Sequence, residues 1–137
     1  FRIRKIHKTY IALTFGKVPK KINLMEDELI NYDNGKKIIR KAISYIKTIK
    51  TSPDYSYVEL NPITGRKHQL RKQLYNIGTP IVGDDKYFLN KKSLKKKIKN
   101  KFLMLHAYKI KFMIKNVKYN FKAPYPIEFE NFLKINF

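Results

Sequence analysis

A chain of 137 residues is one domain's worth, and 43% hydrophobic content with nineteen Phe and Tyr can fill a core. It has no cysteine, which excludes disulfides and thiolate metal sites, and His7, His68 and His106 show no ligand spacing, so no metal is expected. The net charge of +21 points to a polyanionic partner; nucleic acid is favoured over a membrane surface because the lysines run along the whole chain rather than on one amphipathic helix.

Lysine supplies 26 of the 31 basic residues, and Ile and Asn are also abundant, a mixture that matches AT-rich coding and discounts the charge as a sign of any particular contact. It sharpens the five arginines, because lysine does not reproduce the bidentate guanidinium fork.

Residues 5–15 alternate as a strand, with Ile11, Leu13 and Phe15 on one face and Tyr10 and Ala12 on the other, and Gly16 ends it. Residues 17–36, with Pro19, a Lys-Lys pair and an Asn-Gly signal, read as a loop with at most a short turn of helix. Residues 41–50 read as a strand that pairs with 55–61 across the Ser52-Pro53-Asp54 turn.

The organising stretch is LNPITGRKHQLRKQL, residues 60–74. A β-prone run turns at Pro62–Gly65 into a helix opened by Arg66, with Leu70, Leu74 and Ile77 on one face, Thr64 as N-cap and Gly78 as the stop. On that wheel Arg66 falls at the edge of the apolar face, where a guanidinium beside free helix N–H groups suits a carboxylate or phosphate; a surface arginine on a first turn fits equally well. Arg71 and Lys72 fall away from the face, and Arg71 suits an RNA phosphate contact or a local ion pair.

Downstream, Gly83-Asp84-Asp85 reads first as a turn cap and second as a catalytic pair. The lysine-rich stretch 91–101 reads as a solvated excursion, with an RNA-contacting arm as the sharper alternative. Residues 102–115 and 117–123 form a hairpin turning at Asn116, and beyond Pro124 and Pro126 a short helix carries Phe129, Phe132 and Leu133. The sum is an α+β fold, mainly antiparallel sheet with one central helix packed on it. Metal clusters, glycine-rich phosphate loops and a serine elbow are not seen in the sequence. An inward arginine, aromatic residues and a basic surface suit a site for an extruded base.

Five blocks, KTYIAL at 8–13, LNPITGRKHQLRKQL at 60–74, GTPIVGDDKY at 78–87, LMLHAYKIKF at 103–112 and FKAPYP at 121–126, resemble in order the blocks of RluA/RluC/RluD-type pseudouridine synthases. The resemblance implies a cofactor-free isomerisation of uridine in structured RNA, with large-subunit ribosomal RNA as substrate, by a cytoplasmic protein. It implies that Tyr10 packs on the target base and takes the C5 proton, and that Arg66 pairs with a nucleophilic aspartate. Lys8, Lys67, Arg71 and Lys72 would meet RNA phosphates, and Thr64, Gly65, His68 and Gln69 would support the motif. The family's nucleophile lies in an Arg-Leu-Asp stretch upstream of the K-x-Y block, and this chain has none; Asp27, Asp33, Asp54, Asp84 and Asp85 match other parts of the pattern. Residues 1–137 are therefore expected to be the C-terminal portion of one catalytic domain, inactive alone, whose absent part would add strands to the sheet. The alternative is a non-catalytic basic RNA-binding module of the same fold.

Overall fold

The computed structural model describes residues 4–88 and 102–137. Strand β1, Arg4–Phe15, lies inside a six-stranded sheet with β2 (Leu24–Asp33), β3 (Lys36–Thr51), β4 (Tyr55–Pro62), β5 (Leu105–Ile114) and β6 (Val117–Lys122). The order is β2-β3-β4-β1-β5-β6, and every pairing is antiparallel. Ile11 to Thr14 are all buried, because this part of β1 is covered on both faces. The lysine-rich stretch 91–101 lies outside the described residues.

Residues 17–36 are not the expected loop. Leu24–Asp33 pair with β3 from Leu24↔Tyr45 to Asp33↔Lys36, and the Asn34-Gly35 signal is the tip of that hairpin, with φ of 48° and 78°. Only Met25 and Leu29 of β2 are buried, while Leu24, Ile30 and Tyr32 on the other face are exposed, so apolar residues fall on both faces and hide the strand period. β3 begins at Lys36, five residues before the expected strand.

The motif helix, α1, runs Gln69–Asn76, three residues shorter at its start than the wheel at Arg66 assumed. Thr64 does not cap it. The residue before the helix is His68, in the left-handed region at φ 53° and without a side-chain cap, while Thr64 is drawn aside to accept the Ile43 N–H at 2.9 Å. Leu70 and Leu74 are buried, but Ile77 is 36% exposed, and the remaining inward places belong to Gln69 and Gln73. Gly78 does stop the helix: at φ +82° its N–H meets the Tyr75 carbonyl at 2.9 Å, and Thr79 N–H meets Leu74 at 3.0 Å.

Helix α2, Ile127–Asn136, packs on the opposite face of the sheet from α1. Its Phe129 and Phe132 meet Tyr57 and Tyr55 edge-on, while α1 bonds to Ser44, whose row in β3 and β4 has the other parity. The expected strand at 102–115 starts at Leu105; before it, Met104 straps the Gly83 loop to β1, giving its N–H to Val82 and accepting Leu13 N–H.

Candidate active site

The site begins where the sheet forks. β4 follows β1 from Phe15↔Tyr55 to Tyr10↔Leu60, and then Pro62, with no N–H to offer, turns away. Asn61 steadies the departure by donating to the Lys8 carbonyl (3.0 Å) and to Thr9 Oγ1 (2.8 Å). A cavity of about 460 Å³ opens at the fork. Its walls are Lys8 and Tyr10 from β1, Thr64, Gly65 and Arg66 from the loop, and His68, Gln69 and Arg71 at the start of α1. Across Lys8 and Tyr10 lies a second cavity of about 330 Å³, lined by Lys109, Ile110, Phe121 and Lys122.

Buried amides hold the loop in this shape. Gln69 Oε1 accepts from Thr64 Oγ1 at 2.6 Å and from Arg66 N–H at 3.0 Å, and its Nε2 donates to the Ile43 carbonyl at 3.0 Å and to Ser44 Oγ at 2.8 Å. Ser44 Oγ donates to Gln73 Oε1 at 2.6 Å, and Gln73 Nε2 donates to the Met25 and Ala42 carbonyls at 3.1 and 3.2 Å. Both protons of each amide are donated and each amide oxygen accepts at least one bond, which makes the network rigid rather than costly. Arg66 lies outside the helix, and its Nε donates to the Lys41 carbonyl at 2.9 Å, so one edge of its fork is anchored to β3. Among the described residues no carboxylate pairs with Arg66.

Arg71 makes a local ion pair, one of the two roles its sequence context suits. Its Nε and Nη2 reach Asp84 Oδ2 and Oδ1 at 2.8 and 2.7 Å, a bidentate pair with the aspartate fully buried and the arginine 15% exposed. Asp84 also caps its own turn, accepting Lys86 and Tyr87 N–H at 2.9 and 3.0 Å, as the first reading of the Gly83-Asp84-Asp85 loop expects. Burial alone would push the Asp84 carboxyl up, but Arg71 and the two N–H groups together hold it below the usual carboxylate range. Asp85 adds only a 3.4 Å contact and is exposed. The Arg71 fork lies 5.1 Å from the Tyr87 ring, whose hydroxyl meets His68 Nδ1 at 3.1 Å. His68 is depressed by burial and then by the neighbouring Arg71, Lys86, Lys67 and Lys72 charges.

Tyr10 and Arg66, 56 positions apart, therefore share one cavity with Lys8, Thr64, Gly65, His68, Gln69 and Arg71. Lys67 and Lys72 do not line it. Lys67 is exposed, and the Lys72 ammonium donates to Asn31 Oδ1 at 3.0 Å. Sequence reading missed Ser44 and Gln73; a glutamine four residues after Gln69, on the same face as two leucines, is the available signal.

A family profile described as RNA pseudouridylate synthase matches residues 1–76. The chain is 30% identical to an RNA pseudouridine synthase of Helicobacter pylori over 98% of its own length and 52% of the relative's. It is 32% identical to the ribosomal large subunit pseudouridine synthase C of Rickettsia typhi over 91% of its length and 44% of that protein's. The chain thus spans about half the length of the curated relatives it matches. The solved structure of human RNA pseudouridylate synthase domain containing 1 superposes with a TM-score of 0.74 at 22% identity, over 90% of this chain and 56% of that one, which establishes the fold. With the profile covering more than half of its residues, the chain belongs to the RNA pseudouridylate synthase family, of the RluA/RluC type.

Proposed function

We propose that this chain is the C-terminal portion of a catalytic domain that isomerises uridine in structured RNA, with large-subunit ribosomal RNA as the substrate. The observation that carries the reading is the meeting of Tyr10 and Arg66 in one cavity, with the guanidinium anchored through Nε and, among the described residues, without a carboxylate partner. An anchored fork of this kind suits an aspartate delivered from outside the described residues. In the proposed mechanism that aspartate, held ionised and aimed by Arg66, attacks the target nucleotide and the glycosidic C–N bond breaks; the freed base rotates, and its carbon 5 bonds the ribose carbon as the aspartate is released. Tyr10 lies against the base and takes the proton from C5. No cofactor takes part. Lys8 at the rim and Lys67 beside it meet phosphates.

Pseudouridine formation on ribosomal RNA is measured with the chain alone and with the chain preceded by its upstream coding sequence. Turnover is expected only in the longer protein. There Arg66→Ala should lower kcat by at least about 10²-fold, the order seen when one preorganised electrostatic group is lost, while RNA binding survives. Tyr10→Phe should keep the stack and lose the proton acceptor. Retained turnover in Arg66→Ala would overturn its role, and an unchanged rate in Tyr10→Phe would remove the hydroxyl from the reaction. Binding by both lengths with turnover in neither would favour the non-catalytic module, a reading supported by the unpaired Arg66.

A further inference from the structure

The C-terminal hairpin has two unlike faces. Toward the candidate site the register sets Lys8, Ile110 and Phe121 in one row and Phe112 beside Tyr119 in the next, a largely apolar face. The opposite face carries Lys109 and Lys122 in one row, His7 and Lys111 in the next, and Lys118 nearer the tip. Tyr108 lies on it as well: its ring meets Tyr125 edge-on at 5.1 Å, and Tyr125 bonds to Tyr57 and packs on Phe129 of α2. Exposure to solvent does not by itself account for the row. In the β2–β3 hairpin the register sets opposite charges together, Asp33 with Lys36 and Glu28 with Lys41. In the β5–β6 hairpin Lys109 stands directly opposite Lys122, a like-charge pair that repels. Yet the two ammoniums converge, each 5.2 Å from the centroid of the Tyr108 ring, and Lys122 also donates to the Tyr108 hydroxyl. Among the described residues no carboxylate pairs with Lys109, Lys111, Lys118 or Lys122.

We infer that Lys109, Lys111, Lys118 and Lys122 form a second RNA-backbone surface, on the face of the sheet away from Tyr10 and Arg66, which takes phosphates of the same structured RNA outside the target nucleotide. The inference rests on the functional reading above. One phosphate offsets the repulsion between Lys109 and Lys122, and a chain of phosphates does so along the whole row. An acidic protein fits less well, because lysine is depleted at protein–protein interfaces and their centres are apolar. The edge strand β6 lies two strands from β1, roughly 10 Å across the sheet at the usual strand spacing. RNA with its target base against Tyr10 therefore reaches the row by passing round that edge, and the contact belongs to a part of the RNA that does not enter the cavity.

Binding of a ribosomal RNA stem-loop, titrated from about 50 to about 200 mM salt, tests this. The triple variant Lys111→Gln, Lys118→Gln and Lys122→Gln should flatten the log–log salt slope by about 2, the worth of three phosphates at about −0.7 each. Lys17→Gln, Lys20→Gln and Lys21→Gln together remove the same charge from exposed positions before β2 and should change the slope by less than about 0.5. Arginine at 111, 118 and 122 keeps the charge and should bind as the parent chain does. Equal flattening by both glutamine triples reduces the row to diffuse charge and overturns the inference, as does an unchanged slope in the hairpin triple. Polyglutamate bound as tightly as the stem-loop, and lost in the hairpin triple, would make an acidic polypeptide the occupant and overturn it too. These titrations read binding and not turnover. RNA binding that depends on the three lysines in a protein without turnover keeps this surface and removes the proposed reaction, and turnover with binding indifferent to them does the reverse.

Discussion

Asp84 is the residue on which the loop after α1 turns, since one buried carboxylate binds Arg71 and caps the turn at Lys86 and Tyr87. Asp84→Asn keeps the cap but leaves the guanidinium with only the exposed 3.4 Å contact to Asp85, and denaturant unfolding should show a loss of about 3 kcal/mol. Asp85→Asn, at an exposed contact, should change stability by less than about 1 kcal/mol. The pH dependence follows in sign. Asp84 has its pKa lowered by the fold, so its contribution is complete above the unfolded aspartate value of about 3.9 and is lost as the pH falls through the depressed folded value. Stability followed from pH 6 downward should therefore fall less steeply for Asp84→Asn than for the parent chain. The turn-capping role of the Gly83-Asp84-Asp85 loop was legible in the sequence, because Asp after Gly is turn chemistry. Its partner was not. Arg71 lies off the leucine stripe, and only the fold shows that the Gly83 loop passes there. Gly83 itself is enforced by close approach: a Cβ would lie 2.0 Å from the Phe102 carbonyl oxygen.

At the level of elements, α1 is fastened to the sheet by chemistry that hydrophobic periodicity does not report. Its inward face reads Gln69, Leu70, Gln73, Leu74, half of it polar. Ser44 joins the two amides, so Ser44→Ala leaves Gln73 Oε1 without a donor in a buried site. Thermal and urea unfolding should register a loss of about 2 kcal/mol, the cost of an orphaned buried polar atom. A loss under about 0.5 kcal/mol would mean that water replaces the serine. The same network keeps Arg66 out of the helix that the leucine spacing alone would extend to it. The loop bonds to Ile43 and Lys41 compete with helix formation and win, delaying α1 to Gln69. The β2–β3 hairpin was half legible: its Asn34-Gly35 tip was visible, while a strand with two buried side chains has no alternation to read.

Among the described residues the molecule is a basic sheet with a helix on each face, and much of this was legible because β1, β4, the C-terminal hairpin and the C-terminal helix carry regular apolar periods. Charge is the property that belongs to this scale. From residue 102 to 127 there are five lysines and no acidic side chain, so the C-terminal hairpin is uniformly positive beside the candidate site. RNA affinity should therefore fall steeply with salt, with a log–log slope steeper than about −2, equivalent to three or more phosphates at about −0.7 each on a single strand. Lys67→Ala should flatten the slope by about one phosphate; Lys72→Ala should do less, because its ammonium is already engaged by Asn31. A slope near zero would contradict an electrostatic partner for this surface.

The fork at Pro62 has one more consequence. Tyr10 and Lys8 stand between the cavity of about 460 Å³ and that of about 330 Å³, and belong to the lining of both. Tyr10 is thus a partition as well as a wall. Shortening its side chain would widen both hollows at once, so a single substitution on β1 reaches both sides of the strand.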